Sequence, residues 1–239
     1  MKALFAELYG KDSGCSRGRG GSMHLIDMRH NILGTSAVVG TTIPVAMGWA
    51  LALQHEGSGR IVASFFGDGA TEEGCFYECL NFAALHKLPM LLVCENNGFA
   101  IHTPLSKRWA TSRLCERVET YGIPAVQIAD ADVMGLYNQV QDASLRLRNG
   151  GGPESIECLT YRWKEHVGPN EDYEAGYRAR SELVRHQLND PLGQLGRQLS
   201  LSERVRIDAE IDARIEEAVV FAEASHFPPV EDLSKYVFA

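Results

Sequence analysis

Two short polar groups each follow an apolar run. Gly67-Asp68-Gly69 follows Ile61 to Phe66, and Asn96-Asn97 follows the run from Met90 to Cys94. Flanking glycines expose the Asp68 carboxylate and let a ligand approach the backbone closely. Asn97 lies twenty-nine positions beyond Asp68, enough for one helix and one strand. A hard cation such as Mg²⁺ takes about six oxygens in a near-octahedral array, usually one or two side chains with phosphates and water. One carboxylate, one amide oxygen and a nearby backbone carbonyl, with phosphate oxygens and a water, would complete that shell. A Gly-Asp-Gly turn alone would suit many α/β proteins, so the case needs the elements that position it.

The run Ile61 to Phe66 has the length and β-rich content of a buried parallel strand. Glu72 and Glu73 sit where a first helical turn favours carboxylates, and the helix continues towards His86. Pro89 punctuates before the second strand. Both polar loops therefore open at the carboxyl edge of a parallel sheet, where open α/β sheets bind ligands. Before this region, Met1 to Tyr9 has helical spacing and ends at Gly10. A loop rich in Gly, Ser and Arg follows, too long and polar for a mere connection. Thr35 to Gln54 starts as a turn and becomes an Ala-rich helix. After the central region, residues 102–109 read as a polar loop, 113–121 as a short helix and Pro124 to Ile128 as a third strand. Asp132 should N-cap a helix through Arg148, and Pro153 to Trp163 forms a fourth strand. Leu201 to Ser225 reads as an amphipathic helix for packing or a subunit interface. The fold class expected is α/β: an open, mostly parallel sheet with helices on both faces. The division expected is a domain over 1–190 with a carboxy-terminal helical extension over 191–239.

Gly67-Asp68-Gly69 followed by Asn96-Asn97 resembles the thiamine-diphosphate fingerprint. The text GDGATEEG, NFAALHKLP and ENNGFAIHTP is similar to the α subunits of 2-oxo acid and acetoin dehydrogenases, the E1 components. That resemblance implies thiamine diphosphate and Mg²⁺ as cofactors. It makes Asp68 and Asn97 side-chain metal ligands, with Phe99 giving its main-chain carbonyl, and lays Gly69 and Ala70 along the diphosphate. GRGGSMHL resembles the family's GKGGSMH loop, so His24 matches a histidine credited with proton transfer or intermediate stabilisation. The positions matching the turn that holds the aminopyrimidine are Ala37 and Val39. Thr160 to His166 fits a family pattern that places His166 on the diphosphate. Val167 departs from it, offering no hydroxyl where Ser or Thr is common. The chain also starts just before the GGSMH loop, without the usual amino-terminal region: either that region is a separate α fragment, the favoured reading, or the family architecture has been cut down.

The resemblance further implies a β-type E1 subunit supplying the pyrimidine-side glutamate, a lipoyl-bearing E2 acceptor, and a 2-oxo acid such as pyruvate, or acetoin, as substrate. The alternative is a non-catalytic assembly subunit that retains the fold. Composition bounds the rest. With 23 basic and 31 acidic residues the net charge is −8, which disfavours nucleic acid or an anionic membrane surface as partner. No apolar run reaches the ~18–20 residues of a membrane helix. Six cysteines fall mostly inside expected elements without a second zinc-spaced pair, and read as reduced, buried hydrophobes in a cytoplasmic protein.

Overall fold

The computed structural model describes residues 1–129 and 132–235. In chain order its elements are α1 (Lys2–Leu8), α2 (Thr42–Glu56), β1 (Val62–Gly67), α3 (Gly74–His86), β2 (Met90–Asn96), β3 (Phe99–Ala100), β4 (Thr103–Pro104), α4 (Leu114–Glu119), β5 (Ala125–Ile128), α5 (Val133–Arg148), β6 (Glu154–Leu159), α6 (Arg180–Leu188), α7 (Pro191–Gly196) and α8 (Leu201–Ala224). They form two compact units, Val39–Leu195 and Met1–Val38 with Gly196–Ala239.

The Val39–Leu195 unit is built on a four-stranded sheet of order β1-β2-β6-β5, parallel throughout. The α/β reading is borne out. β2 is buried along both faces, as expected of an inner parallel strand and its continuous apolar run. Leu91 and Val93 on one face join Ile128, Ile156, Ala143 and Leu147 in a core closed by α5. On the opposite face Phe66 meets Phe76 of α3 edge to face, with ring centroids 5.6 Å apart. Asp132 caps α5 as expected, its Oδ1 accepting from the Gly135 N–H at 2.8 Å. The fourth strand ends at Leu159, short of Trp163, because the chain leaves the sheet for the loop described below.

Edge strand β1 is covered on one face only. Val62, Ser64 and Phe66 are buried, whereas Phe65, in register with Val93, is 62% exposed. Mid-sheet, the buried Glu157 accepts from Asn96 Nδ2 (2.7 Å) and Gln127 Nε2 (2.9 Å). Glu157→Ala would leave the buried Asn96 amide without an acceptor. We expect a loss of about 2 kcal/mol, read as a lower urea midpoint at unchanged slope.

In the other unit α1 packs on α8. The Lys11 ammonium donates to the Ser225 carbonyl at 3.0 Å, and the Asp12 N–H to the His226 carbonyl at 2.9 Å. The fully buried positions of α1 are Ala6 and Glu7, while Leu4 and Leu8 stay exposed. Among the described residues, no helix is long and apolar enough to cross a membrane. All six cysteines are free. Burial pushes the Cys79 thiol up to about 11 and the Cys115 thiol up to about 12, so both stay protonated and inert at neutral pH.

Candidate functional site

The carboxyl ends of β1 and β2 converge. Asp68 opens a 3₁₀ turn (Asp68–Glu72) directly after β1 and is fully buried. A Cβ added to Gly69 would come within 3.1 Å of Ala100 Cβ, so the two loops approach closely there and a side chain would have to push Ala100 aside by a few tenths of an ångström. The N–H groups of Asp68 and Asn97 lie close enough to the Asp68 carboxylate to pull its pKa down. Burial outweighs them and the Arg108 contact, and the net displacement is upward. Its Oδ1 is buried with no hydrogen-bond partner.

The other oxygen, Oδ2, accepts from Arg108, whose guanidinium also meets Glu72. Trp109 Nε1 donates to the same Glu72 carboxylate at 3.1 Å. Glu72 and Glu73 therefore precede α3, with Glu73 at its N-cap, where a first helical turn was expected to contain them. The 3₁₀ turn swings Glu72 outward to the segment after β2. That segment is tied down as the β3–β4 hairpin and a 3₁₀ turn at Leu105–Lys107, with the Leu105 N–H donating to the Gly98 carbonyl at 2.8 Å. Asn97 Oδ1 accepts from the Phe99 N–H at 3.0 Å, and Asn96 Oδ1 from the Gly98 N–H at 2.9 Å. An amide oxygen has two lone pairs, so Asn97 keeps one.

Asp68, Gly69, Ala70, Asn97 and Phe99 thus share one corner. A buried carboxylate with one orphaned oxygen, beside an amide that retains acceptor capacity, suits a hard cation. Arg108 shows that the site already draws positive charge.

Val39 is exposed, and the peptide after it turns at Gly40, whose φ is +80°. A Cβ there would lie 2.9 Å from Glu73 Cγ, which seats this turn on the start of α3. His166 lies after β6, exposed, in a loop that runs back towards β3. Desolvation of its ring, with the Arg162 and His102 charges nearby, holds its pKa below the usual imidazole value. The loop is fixed by the buried Arg178, whose guanidinium donates to Asp172 Oδ1 and to the carbonyls of Arg162 and Lys164. Arg162 Nη2 donates to Tyr177 Oη at 2.6 Å, and the Tyr177 ring packs on Phe99 and His102. His24 and Ala37 belong to the other unit, both exposed.

Sequence reasoning did not single out Arg108, Arg178, Glu157 or Glu7. For Glu157 the signal was present: a lone carboxylate inside the apolar run SIECL.

The dehydrogenase E1 component family model matches residues 1–231. The chain belongs to that family. The α subunit of a pyruvate dehydrogenase E1 component from Porphyra purpurea is 37% identical over 99% of this chain and 72% of its own length. The chloroplastic α-3 subunit of Arabidopsis thaliana is 36% identical, and this E1 chain spans 58% of it. The α subunit of acetoin:2,6-dichlorophenolindophenol oxidoreductase from Bacillus subtilis is 34% identical over the whole chain and 72% of its own length. Among solved structures, a putative thiamin diphosphate-dependent enzyme from Mycobacterium smegmatis overlaps 55% of this chain and 24% of its own at 21% identity, with a TM-score of 0.43. That overlap is too loose to bear on function. The resemblance carried by GDGATEEG and ENNGFAIHTP is borne out by the relatives, which include both pyruvate and acetoin enzymes.

Proposed function

We propose that this E1-family chain is the α component of a thiamine-diphosphate-dependent oxidoreductase that cleaves a C–C bond next to a carbonyl, in a 2-oxo acid such as pyruvate or in acetoin. The observation that carries the reading is the buried Asp68 carboxylate, one oxygen unpartnered, at a strand tip shared with Asn97. Asp68 and Asn97, with the Phe99 carbonyl, would hold Mg²⁺. Gly69 and Ala70 would present backbone to a diphosphate, and His166 would donate to its oxygens. Ala37 and Val39 would hold the aminopyrimidine through main-chain groups. When bound, the cofactor supplies a carbon nucleophile and an electron sink for the cleavage. His24 would move a proton at the reacting carbon.

The glutamate that activates the pyrimidine ring is expected from a β-type subunit, so the site is completed only in the assembled complex. The acyl fragment would then pass to a lipoyl group on an E2 partner. Titration calorimetry of the chain with its β partner should show thiamine diphosphate binding that requires Mg²⁺. Absence of binding with the partner present would sink the reading. His166→Ala should weaken the diphosphate grip by about 10-fold, the worth of one charge-assisted hydrogen bond, measured as the apparent cofactor Kd at pH 7.

A further inference from the structure

The one fully buried carboxylate of α1 has no part in the function proposed above. Glu7 sits on a short amphipathic helix at a position where a carboxylate is almost never buried without partners. Its partners are backbone. Oε2 accepts from the N–H of Ser16 at 2.8 Å and of Gly18 at 2.9 Å, and Oε1 accepts from the N–H of Gly20 at 2.5 Å. Alternate N–H groups of the Gly-rich loop thus converge on one side chain, the arrangement by which successive amides make an anion-binding concavity. Here the anion belongs to the chain itself. Hydrogen bonds to an ionised acceptor are roughly twice as strong as neutral ones, and burial keeps water from competing for them.

The glycines of this loop are there because the backbone has to pass so close. A Cβ at Gly14 would lie 2.3 Å from Glu7 Oε2, and one at Gly20 would lie 2.1 Å from the His24 carbonyl oxygen. The His24 N–H donates back to the Gly20 carbonyl at 3.1 Å, so the residue gripped by Glu7 and His24 close one turn. Beyond His24 a second anchor holds. Thr35 Oγ1 accepts from the Leu25 N–H at 2.9 Å and donates to the Met23 carbonyl at 2.7 Å. The peptide of His24 is therefore pinned on both flanks, while its imidazole projects into solvent.

We infer that Glu7 is the positioning residue for His24: its carboxylate fixes the backbone turn that carries the imidazole. This rests on the role given to His24 above. A misplacement of about 1 Å in a catalytic group costs on the order of 10²-fold in rate, so the effect belongs in kcat rather than in cofactor affinity.

The test uses the chain assembled with its β partner and compares wild type with Glu7→Gln, Glu7→Asp and Gly20→Ala. Gly20→Ala drives a Cβ into the His24 carbonyl oxygen and displaces the same turn with Glu7 left in place, and serves if Glu7→Gln does not fold. Glu7→Gln keeps the volume but turns an amide N–H₂ towards N–H donors. It should speed trypsin nicking after Arg17 and Arg19 by about 10-fold and lower kcat by about 10²-fold. The thiamine diphosphate Kd should stay within about threefold of wild type. Glu7→Asp should fall between the two. Nicking at the wild-type rate, or kcat and cofactor affinity falling in parallel, overturns the inference. Full turnover in His24→Ala would instead remove the role of His24, with the nicking pattern still reporting whether Glu7 holds the loop.

Discussion

Asp68→Ala should lower turnover of the assembled complex by roughly 10³-fold or more and abolish Mg²⁺-dependent cofactor binding, with little loss of fold stability. The first part follows from the loss of the buried carboxylate at the corner shared by β1 and β2. A cation holding a diphosphate contributes several kcal/mol, and about 4 kcal/mol already corresponds to 10³-fold. The second part follows from the burial of that carboxylate. Its desolvation raises its pKa, and its Oδ1 has no hydrogen-bond partner. The folded state therefore holds Asp68 at a cost, which its removal relieves. Against this, Arg108 loses one of two carboxylates and retains Glu72. Asp68→Asn should melt within a few degrees of wild type and bind no cofactor. Calorimetry and a thermal scan on the same sample check both. A melting point lowered by more than ~10 °C would mean that the Asp68–Arg108 pair holds the fold together.

Arg178→Met is expected to be the most destabilising single change outside the sheet. The guanidinium is buried, bonded to Asp172 Oδ1 at 3.0 Å and to the Lys164 carbonyl at 2.9 Å, and it lies over the rings of Tyr161, Tyr173 and Tyr177. Its loss leaves two carbonyls and a carboxylate short of donors in a poorly solvated place, a loss of about 3–5 kcal/mol. The pH dependence should change with it. Burial alone would raise the Asp172 pKa, but hydrogen bonds from Tyr177 and Arg178 outweigh it and hold the carboxyl below its usual value. A carboxylate depressed in the folded state adds stability above its ordinary pKa, and that stability is lost as pH falls through the folded value. Denaturation of wild type from pH 7 to pH 2 should therefore show an acid limb below about pH 4 that is shallower in the variant. Hydrogen exchange should show the 160–178 loop opening first. If instead the variant melts like wild type with the loop still protected, the tyrosine rings rather than the ion pair hold it.

The local grammar of the fold was legible. Apolar runs of strand length bounded by Gly67-Asp68-Gly69, Pro89 and Asn96-Asn97 marked β1 and β2, and Asp132 marked the start of α5. Spacing also placed Asp68 and Asn97 on neighbouring strand tips, because a single helix and strand leave few ways to connect parallel neighbours. What could not be read were pairings set by tertiary approach. Arg108 reaches Asp68 across forty positions, and nothing in SKRW distinguishes that arginine from a solvated one. The strand order was hidden for the same reason, since β5 and β6 carry similar short runs and only packing decides which lies inside. Helical spacing over Met1 to Tyr9 carries no sign that Glu7 is buried, because its burial depends on a loop that coils back over it.

That strand order has a consequence for synthesis. The strand that fills the gap between β2 and β5 is the last of the four to be made. Until Glu154–Leu159 has left the ribosome, the apolar flank of Met90–Asn96 has no permanent neighbour on that side. With about 60 residues intervening and translation at roughly 5–20 residues per second, a nascent chain spends some seconds with an open strand of its own to protect. A chaperone, or a transient contact with an assembling subunit, would find its natural opening in that interval.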